Sequence, residues 1–250
     1  MIALTVVILT KNEQKNIKDC LKSVYKWADE IIIIDDESTD STRDIASQYA
    51  DKILVKKMDI EGAHRNWAYQ QAKNDWVLSL DADERVTEEL KEEIADALNC
   101  PGGKAVFSIP RRNFIGDYWV KYGGWYPSAQ LKLFKKDKFK WEEVHVRTAA
   151  FTDGEAGHLK SDLIHYSYKD IADFINKQNR QTSLEVEKWI AQGKKIKAGK
   201  FIWRGIDRFF RSYIRKKGFR DGFYGFVAAY FASLYQFFSL LKYREIKHKS

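Results

Sequence analysis

The sequence predicts an α/β fold in which a mostly parallel β-sheet is flanked by helices and followed by a helical C-terminal extension. Short apolar runs alternate with segments of helical periodicity over the first 100 residues, an order typical of a doubly wound sheet. A Cys-Pro-Gly-Gly breaker at residues 100–103 ends this pattern, and the last 50 residues are aromatic and basic. With 250 residues, 44% of them hydrophobic, the chain has enough apolar material for such a core.

Four β-branched runs are typical of buried parallel strands: Ile2–Leu9, Glu30–Ile34, Lys52–Val55 and Trp76–Leu80. The first run has no basic region before it, so we expect a strand rather than a signal peptide. Apolar residues three or four positions apart predict helices at about 17–25, 45–49, 63–72 and 88–98.

Beyond residue 105 the pattern changes to a second, mixed region. It predicts strands at Val106–Pro110, Gln130–Phe134 and Leu163–Tyr168, followed by a helix from Ile171 to Trp189. We therefore predict one domain over residues 1–190, with halves 1–100 and 101–190, and a basic aromatic helical tail over residues 191–250.

The net charge of +8 is an average of two opposed regions. Residues 1–100 carry a balance of −8, whereas residues 194–250 carry +12. The two ends are therefore expected to meet different partners. Two cysteines, Cys20 and Cys100, are too few for a disulfide framework, which favours a reducing compartment.

Polar clusters follow three of the predicted strands, at residues 10–13, 35–38 and 81–84. Ligands of open α/β sheets bind beyond the carboxyl ends of the strands, so we expect these clusters to form the functional site. The sequence contains no GxGxxG after the first strand and no GxxxxGK[ST], which argues against dinucleotide cofactors and P-loop chemistry.

Asp81 and Asp83 flank a small residue directly after the fourth predicted strand. In an extended segment, residues two apart face the same side, so both carboxylates would converge on one ligand. Hard oxygen donors beside a diphosphate suit Mg²⁺ or Mn²⁺. The alternative is that both residues cap the helix near Thr87.

The other two clusters also allow two interpretations. Asp35 and Asp36 either cap the helix that starts near Thr42 or accept hydrogen bonds from a nucleobase or a ribose. Asn12 and Glu13 either belong to a ligand site or only precede the next helix.

Four motifs occur in order along the first 100 residues: Thr10–Glu13, Ile34–Asp40, Arg65-Asn66 and Trp76–Glu84. Together they resemble the family 2 glycosyltransferases. The runs Gly123–Pro127, Gln130–Phe134, Val144-His145 and His165–Tyr168 resemble the lipopolysaccharide-core β-glucosyltransferase-like subgroup more closely. The resemblance covers nearly the whole chain. It implies a GT-A fold, a divalent metal, a nucleotide-sugar-binding half over 1–100 and an acceptor-side half over 101–190.

Position by position, the resemblance implies a nucleotide pocket lined by Thr10, Asn12 and Glu13. Asp36 would recognise the edge of the base, expected to be uracil. Arg65 would reach the nucleotide or its phosphates; the alternative is a solvated cation on a helix surface. Asp81 would lie near the ribose and the metal, with Asp83 as the direct metal ligand.

Glycosyl transfer also needs a base that removes the proton of the acceptor hydroxyl. The subgroup usually has Val-His-Glu, whereas here Val144-His145 is preceded by Glu142-Glu143 and followed by Val146-Arg147. In an extended strand Glu143 and His145 share a face. We predict Glu143 as the base, with His145 and then Asp117 as alternatives, against the structural alternative of an exposed acidic pair.

Trp125 and Tyr126 follow two glycines and are predicted to form an aromatic shelf for a sugar ring of the acceptor. A buried Trp in a turn is an equally ordinary explanation. The histidines His64, His158 and His165 have no metal-ligand spacing, and we expect most of them to be structural or exposed.

Residues 201–250 contain 15 aromatic side chains. Basic residues at steps of four, three and four predict one helical stripe, formed by Arg204, Arg208, Arg211 and Arg215. Gly222–Leu241 runs 20 residues without a charge, which is long enough to span a bilayer. Its Tyr, Gln, Ser and Gly content favours a helix in the interface of an anionic membrane. Packing on protein is the third alternative.

The sequence thus predicts an inverting, metal-dependent glycosyltransferase that moves a hexose from a UDP-sugar to a cell-envelope glycan such as lipopolysaccharide core. We expect a cytoplasmic enzyme, peripheral at the cytoplasmic face of the inner membrane, with a membrane-associated or lipid-linked acceptor. One alternative is a nucleotidyltransferase of similar topology, although the Gly-rich loop typical of that class is missing. The other is a basic nucleic-acid- or membrane-binding protein without enzymatic activity. The acidic first 100 residues argue against nucleic acid as a partner.

Overall fold

A computed structural model describes residues 2–144, 149–194, 196 and 198–249. The chain divides into two compact units. Unit 1 comprises Met1–Arg111 and Ala129–His165, and unit 2 comprises Arg112–Ser128 and Tyr166–Ser250. The boundary between catalytic domain and tail at residue 190 stays a prediction.

The described residues form thirteen strands. They are β1 (Ile2–Thr10), β2 (Ala28–Asp35), β3 (Lys52–Val55), β4 (Trp76–Asp81), β5 (Glu84–Val86), β6 (Val106–Ile109), β7 (Arg111–Ile115), β8 (Tyr118–Trp119), β9 (Gln130–Lys135), β10 (Phe139–Trp141), β11 (Ala150–Thr152), β12 (Ala156–His158) and β13 (Leu163–Tyr168). Every strand predicted from the sequence is present, with its ends shifted by at most two residues.

The same described ranges contain seven α-helices. They are α1 (Ile17–Val24), α2 (Thr42–Ala46), α3 (Glu61–Gln70), α4 (Glu88–Asn99), α5 (Ile171–Ala191), α6 (Ala198–Phe210) and α7 (Gly222–Lys249). A π-helix, Arg211–Arg215, and a 3₁₀ turn, Gly218–Asp221, connect α6 to α7.

The main sheet of unit 1 has seven strands in the order β12-β6-β9-β4-β1-β2-β3. Strand β1 pairs in parallel with β2 and β4, and β2 with β3, whereas β9 is antiparallel to β4 and β6. This order confirms the predicted α/β class with a mostly parallel sheet. Strands β6 and β9 extend this sheet instead of forming a separate region, because side chains such as Leu133 and Phe134 complete the cores on its two faces.

Both faces of this sheet are buried because successive side chains of a strand point to opposite sides. Val6 and Ile8 of β1 face a core that includes apolar residues of α1 and α4. Val7 faces the other core, against Ala68 and Tyr69 of α3. Each fully buried aliphatic side chain contributes about 1.5–3 kcal/mol, which explains why these strands are almost purely apolar.

The strand register brings the predicted polar clusters to one edge of the sheet. Thr10 pairs with Asp35 between β1 and β2, and Leu9 pairs with Asp81 between β1 and β4. Since parallel strands end at the same edge, the three clusters become neighbours, although they are up to 71 residues apart in the chain.

Unit 2 combines the hairpin of β7 and β8 with the three C-terminal helices. Helix α5 confirms the helix predicted from Ile171. Helix α7 packs against both α5 and α6. At Gly205 the approach of α6 to α7 is so close that a Cβ atom would lie 2.6 Å from the ring of Phe237.

One helical segment in the described part of the chain, Gly218–His248, is long and apolar enough to cross a bilayer. The core helices of soluble proteins meet the same criteria of length and composition. In this fold 39% of its most apolar window is buried. Length and composition alone therefore do not distinguish a membrane helix from a packed one, and the exposed side chains of the tail decide between them.

Candidate active site

The loop after β1 is held against the loop after β2 by hydrogen bonds. The Asn12 N–H donates to Ser38 Oγ, and Asn12 Oδ1 accepts from the Thr39 N–H, both at 2.8 Å. The Glu13 N–H donates to Thr42 Oγ1 at 2.8 Å. Asn12 has a φ of +53°, a left-handed conformation that Asn tolerates better than most residues. Asn12 and Glu13 therefore set the shape of this loop, and their nucleotide-binding roles stay predictions.

Asp36 lies buried after β2 with both carboxylate oxygens paired. Oδ1 accepts from the Met58 N–H and Oδ2 from Lys11 Nζ, each at 2.8 Å. Burial opposes ionisation of Asp36, but these two bonds outweigh it and hold the pKa below its usual range. A nucleobase recognised by Asp36 would have to compete with Lys11 for its carboxylate, and the Lys11 side chain is 57% exposed.

The buried polar atoms without a hydrogen-bond partner among the described residues include Thr10 Oγ1, Asp35 Oδ1 and His64 Nδ1. Thr10 and Asp35 are register partners, and His64 on α3 interacts electrostatically with Asp36. Burial lowers the pKa of His64, which keeps its ring neutral. Each unpaired buried group costs about 1–3 kcal/mol, and a ligand with complementary groups would remove that cost. His64 is a site candidate that the sequence did not single out.

Asp81, at the end of β4, lies between two cations. Its Oδ1 accepts from Arg65 Nη2 and its Oδ2 from Lys132 Nζ, both at 2.9 Å. Burial raises the pKa of Asp81, but Arg65 and Lys132 more than reverse this effect and hold it far below the usual range. Arg65 also binds Glu61 at 2.9 Å. Arg65 is therefore fixed in the site and is not a solvated surface cation.

Lys132 on β9 is a buried cation that sequence reasoning missed. Only 4% of its side chain is exposed, and its Nζ lies 2.7 Å from Glu84 Oε2. Glu84 is completely buried, accepts from the Asp81 N–H at 2.9 Å, and lies 3.5 Å from Arg111 Nη1. The sequence marks this pair only weakly: Lys132 interrupts an apolar strand, and Glu84 directly follows Asp83.

Asp83 lies in a turn between β4 and β5 rather than in an extended segment. Its Oδ1 is buried without a hydrogen-bond partner among the described residues, and its Oδ2 lies 3.5 Å from His165 Nε2 on β13. Asp83 does not cap the following helix, because Thr87 does so by accepting from the Leu90 N–H at 3.2 Å. The position of His165 beside Asp83 is a second feature that its sequence spacing did not reveal.

Asp81, Asp83 and His165 share a cavity of about 580 Å³ in unit 1. The remaining lining residues are Glu61, Arg65, Ser79, Arg111, Gln130, Leu131, Lys132 and Trp141. Three cations thus line the same cavity as the carboxylates. Such a mixture suits a ligand that carries negative charge and a bound divalent cation together.

The oxygen and nitrogen atoms near Asp83 are compatible with a divalent cation that is held partly by the ligand. The described residues contain no group of three or more His, Cys, Asp and Glu side chains placed to hold an ion. Mg²⁺ and Mn²⁺ are usually held by one or two carboxylates together with phosphate oxygens and water. The unpaired oxygen of Asp83, with His165 beside it, provides a partial set of this kind, whereas Asp81 is already bound by two cations.

The predicted base Glu143 lies outside that cavity, in a second one of about 660 Å³ next to α3. Its Oε1 accepts from Asn66 Nδ2 at 3.0 Å and lies 3.3 Å from Lys140 Nζ. The bond from Asn66, with Lys140, lowers the pKa of Glu143, which keeps its carboxylate ionised at neutral pH but makes it a weaker proton acceptor. His145 belongs to residues 145–148, which lie outside the described residues.

The remaining predicted residues lie in unit 2. Trp125 packs against Tyr168 and Phe174, with ring centroids 6.0 and 5.9 Å apart, and Tyr126 packs edge-on against Trp119. Trp125 and Tyr126 are half-buried, and Trp125 packs against an apolar cluster of unit 2. The acceptor-binding roles of Trp125 and Tyr126 stay predictions, as does the alternative base Asp117, which is exposed between β7 and β8.

Residues 5–153 match the model of the family described as Glycosyl transferase family 2. The match spans more than half of the chain. This protein is a family 2 glycosyltransferase. The family confirms the GT-A fold and the enzymatic activity that the sequence motifs imply, and excludes the non-enzymatic alternative.

Relatives match this glycosyltransferase over most of its length. An uncharacterized glycosyltransferase of Rickettsia typhi is 28% identical, covering 97% of this chain and 87% of the relative. The lipopolysaccharide core biosynthesis glycosyltransferase LpsC of Rhizobium meliloti is 24% identical, covering 96% and 91%. The crystal structure of S. aureus TarS 1-349 in complex with UDP-GlcNAc aligns with a TM-score of 0.48 and 15% identity, covering 90% of this chain and 79% of TarS 1-349.

Proposed function

We propose that this glycosyltransferase moves a hexose from a UDP-sugar to a cell-envelope glycan such as lipopolysaccharide core, with a divalent metal and with inversion at the anomeric carbon. The observation that supports this best is the cavity at the carboxyl edge of the sheet. It combines an unpaired carboxylate oxygen of Asp83 with the cations Arg65, Arg111 and Lys132.

The proposed metal ligands in this chain are Asp83 and His165. The metal supplies charge neutralisation at the departing diphosphate. Asp81 is proposed to lie at the ribose end of the donor, where Arg65 and Lys132 hold its carboxylate ionised and fix its orientation.

The three cations have a second proposed role, because they line the cavity in which the diphosphate is expected. Arg65 and Lys132 are each bonded to carboxylates, which fixes their charged groups before the donor arrives. Charges that are already in position cost no reorganisation when negative charge develops on the leaving group. Arg65 and Lys132 therefore support release of the nucleotide diphosphate.

The nucleobase of the donor is proposed to bind at the ends of β1 and β2. Thr10 Oγ1, Asp35 Oδ1 and His64 Nδ1 are the unpaired groups there, and Asp36 lies beside them. Uracil carries both an N–H donor and carbonyl acceptors, so it complements a set that mixes a carboxylate with a hydroxyl and an imidazole. Asn12 and Glu13 are proposed to shape the loop over it.

Glu143 is the proposed base for the acceptor hydroxyl, with Trp125 and Tyr126 as acceptor-binding residues. An ionised carboxylate removes the proton as the hydroxyl oxygen attacks the anomeric carbon, and a direct displacement inverts that carbon. The relative named as a lipopolysaccharide core biosynthesis enzyme supports a cell-envelope acceptor. We place the enzyme in the cytoplasm, at the cytoplasmic face of the inner membrane where such acceptors are membrane-associated.

The donor and metal assignments are tested by titrating UDP into the protein with and without Mn²⁺, using calorimetry. We expect tighter UDP binding with Mn²⁺, and Asp83→Asn is expected to remove that gain while leaving metal-free binding unchanged. Asp19→Asn, an exposed acid on α1, is the matched control. An Asp83→Asn protein that retains the full Mn²⁺ effect would refute the metal site.

The base assignment is tested with Glu143→Gln and its neighbour Glu142→Gln. Sugar transfer from a panel of UDP-sugars to extracted envelope glycans is monitored by release of UDP. Glu143→Gln is expected to lower the rate by about 10²–10⁴-fold, the usual contribution of a general base, with unchanged UDP affinity. Equal activities of the two variants would exclude Glu143.

A further inference from the structure

Helix α6 and the π-helix after it expose a row of apolar side chains. The row has a spacing of four residues and consists of Ile202, Ile206, Phe210 and Ile214, each 42–56% exposed. Trp203 lies beside it and is 68% exposed. We name these five residues the α6 face. Soluble surfaces rarely keep so many large apolar groups together without a partner.

The α6 face is not the surface that holds α6 in the fold. The buried residues of α6 are Phe201 and Gly205, and Gly205 lies against Phe237 of α7. Around the helix, Phe201 and Gly205 lie about 60° or more from each residue of the exposed row. The α6 face is thus left over after α6 has packed against its neighbour.

Aromatic residues of the following segment continue this surface. The ring of Phe226 lies 6.1 Å from Phe209 and 6.0 Å from Tyr213, and Phe219 lies 6.4 Å from Tyr213. Phe219 and Phe226 are 48% and 44% exposed. The exposed apolar surface therefore extends from α6 across the π-helix to the start of α7.

The same segment is strongly basic. Residues 198–220 contain eight Lys and Arg residues and a single acid, Asp207. Arg204, Arg208 and Arg215 are exposed, and Asp207 is paired with Arg211 at 2.7 Å. Apolar side chains on one face and exposed cations around them are typical of helices that lie in the interface of an anionic bilayer.

We propose that the α6 face binds the interface of a bilayer that contains anionic lipids, with α6 parallel to the membrane plane. A second copy of the chain is a poorer occupant, because a symmetric contact would bring two sets of eight cations together. The inference centres the membrane contact on the charged helix α6, with Phe226 at its edge, rather than on the whole uncharged segment Gly222–Leu241, which packs against α5 and α6. It deepens the proposed membrane location and does not depend on the glycosyl donor.

The experiment is sedimentation of the full chain with sucrose-loaded phosphatidylcholine vesicles, with and without phosphatidylglycerol, in the absence of donor and acceptor. The wild type is expected to bind vesicles with phosphatidylglycerol, and salt should weaken this binding. Trp203→Glu/Phe210→Glu is expected to lower the partition coefficient by at least about tenfold, because two exposed rings no longer enter the interface. Ile175→Glu/Leu184→Glu on α5, at 41% exposure each, is the matched control and should bind normally.

Two further measurements separate the alternatives. Thermal unfolding should be the same for both double variants, because all four side chains are exposed. Light scattering without vesicles should give the same mass for wild type and variants. The proposal is overturned if Trp203→Glu/Phe210→Glu binds vesicles like the wild type, or if this variant instead dissociates an oligomer. It is also overturned if carbonate at high pH fails to release the wild type from vesicles, because that result would mean that α7 spans the bilayer. UDP titration of the same samples tests the proposed donor site separately.

Discussion

Replacing Lys132 with methionine is expected to destabilise unit 1 because Lys132 is a buried cation with two carboxylate partners. Its Nζ lies 2.9 Å from Asp81 Oδ2 and 2.7 Å from Glu84 Oε2, and only 4% of the side chain is exposed. Methionine has a similar volume, so the change removes the charge without leaving a large cavity. Any loss of stability then reports the electrostatic role of Lys132.

The expected loss of stability depends on which partners Asp81 and Glu84 keep when Lys132 is replaced. Breaking a buried ion pair by removing one partner costs about 3–5 kcal/mol. Asp81 keeps Arg65 at 2.9 Å, and Glu84 keeps the Asp81 N–H and Arg111 at 3.5 Å, so we take the lower end. A loss of about 3 kcal/mol corresponds to a fall in Tm of roughly 6–12 °C for a chain of this size.

The assay is thermal unfolding followed by circular dichroism, with Lys138→Met as the matched control. Lys138 makes an ion pair of 2.6 Å with Asp153, but the two side chains are 40% and 76% exposed. Exposed pairs are screened by solvent and contribute little to stability, so the control should lose at most a few degrees. Equal falls in Tm for the two variants would refute the assignment of Lys132 to a buried electrostatic network.

Three further predictions concern other parts of the chain. Burial lowers the pKa of His64 from its usual 6.5, so near and below that pH the unfolded state binds more protons than the folded state. The free energy of unfolding of the wild type should therefore fall as the pH is lowered. His64→Gln should reduce this fall, as measured by urea unfolding between about pH 7.5 and about 5.5. Gly225→Ala should lower Tm because the added methyl meets a backbone carbonyl of the 3₁₀ turn, whereas Gly199→Ala has open space and should raise it slightly in a melting scan. In a thiol-reagent assay of the native protein, Cys100 should react and Cys20 should not, since Cys20 is buried and burial raises its pKa; reaction of both would contradict this packing.

The elements of unit 1 were predictable because their signals are local. Periodicity of two or of 3.6 residues depends on neighbours in the chain, and β1 to β4 and α1 to α4 appear close to their predicted bounds. The convergence of Thr10, Asp35 and Asp81 was also predictable, since parallel strands end at one edge.

The chemistry inside the site was less predictable. Lys132 meets Glu84 across 48 residues and Asp81 across 51, and no local pattern marks such a pair. His165 reaches Asp83 from a strand 82 positions further along the chain. The convergence of Asp81 and Asp83 was predicted from an extended geometry, whereas the structure brings both to the cavity through a turn.

In the C-terminal tail, too, local features were predictable and long-range packing was not. The helical, basic and aromatic character of the C-terminal segment was predictable, because composition and helical spacing are local properties. Which apolar side chains remain exposed depends on helix packing, since the packing of α7 against α5 and α6 buries part of the uncharged segment and leaves the α6 face open. Burial depends on which helices meet, and that is decided by residues far apart in the chain.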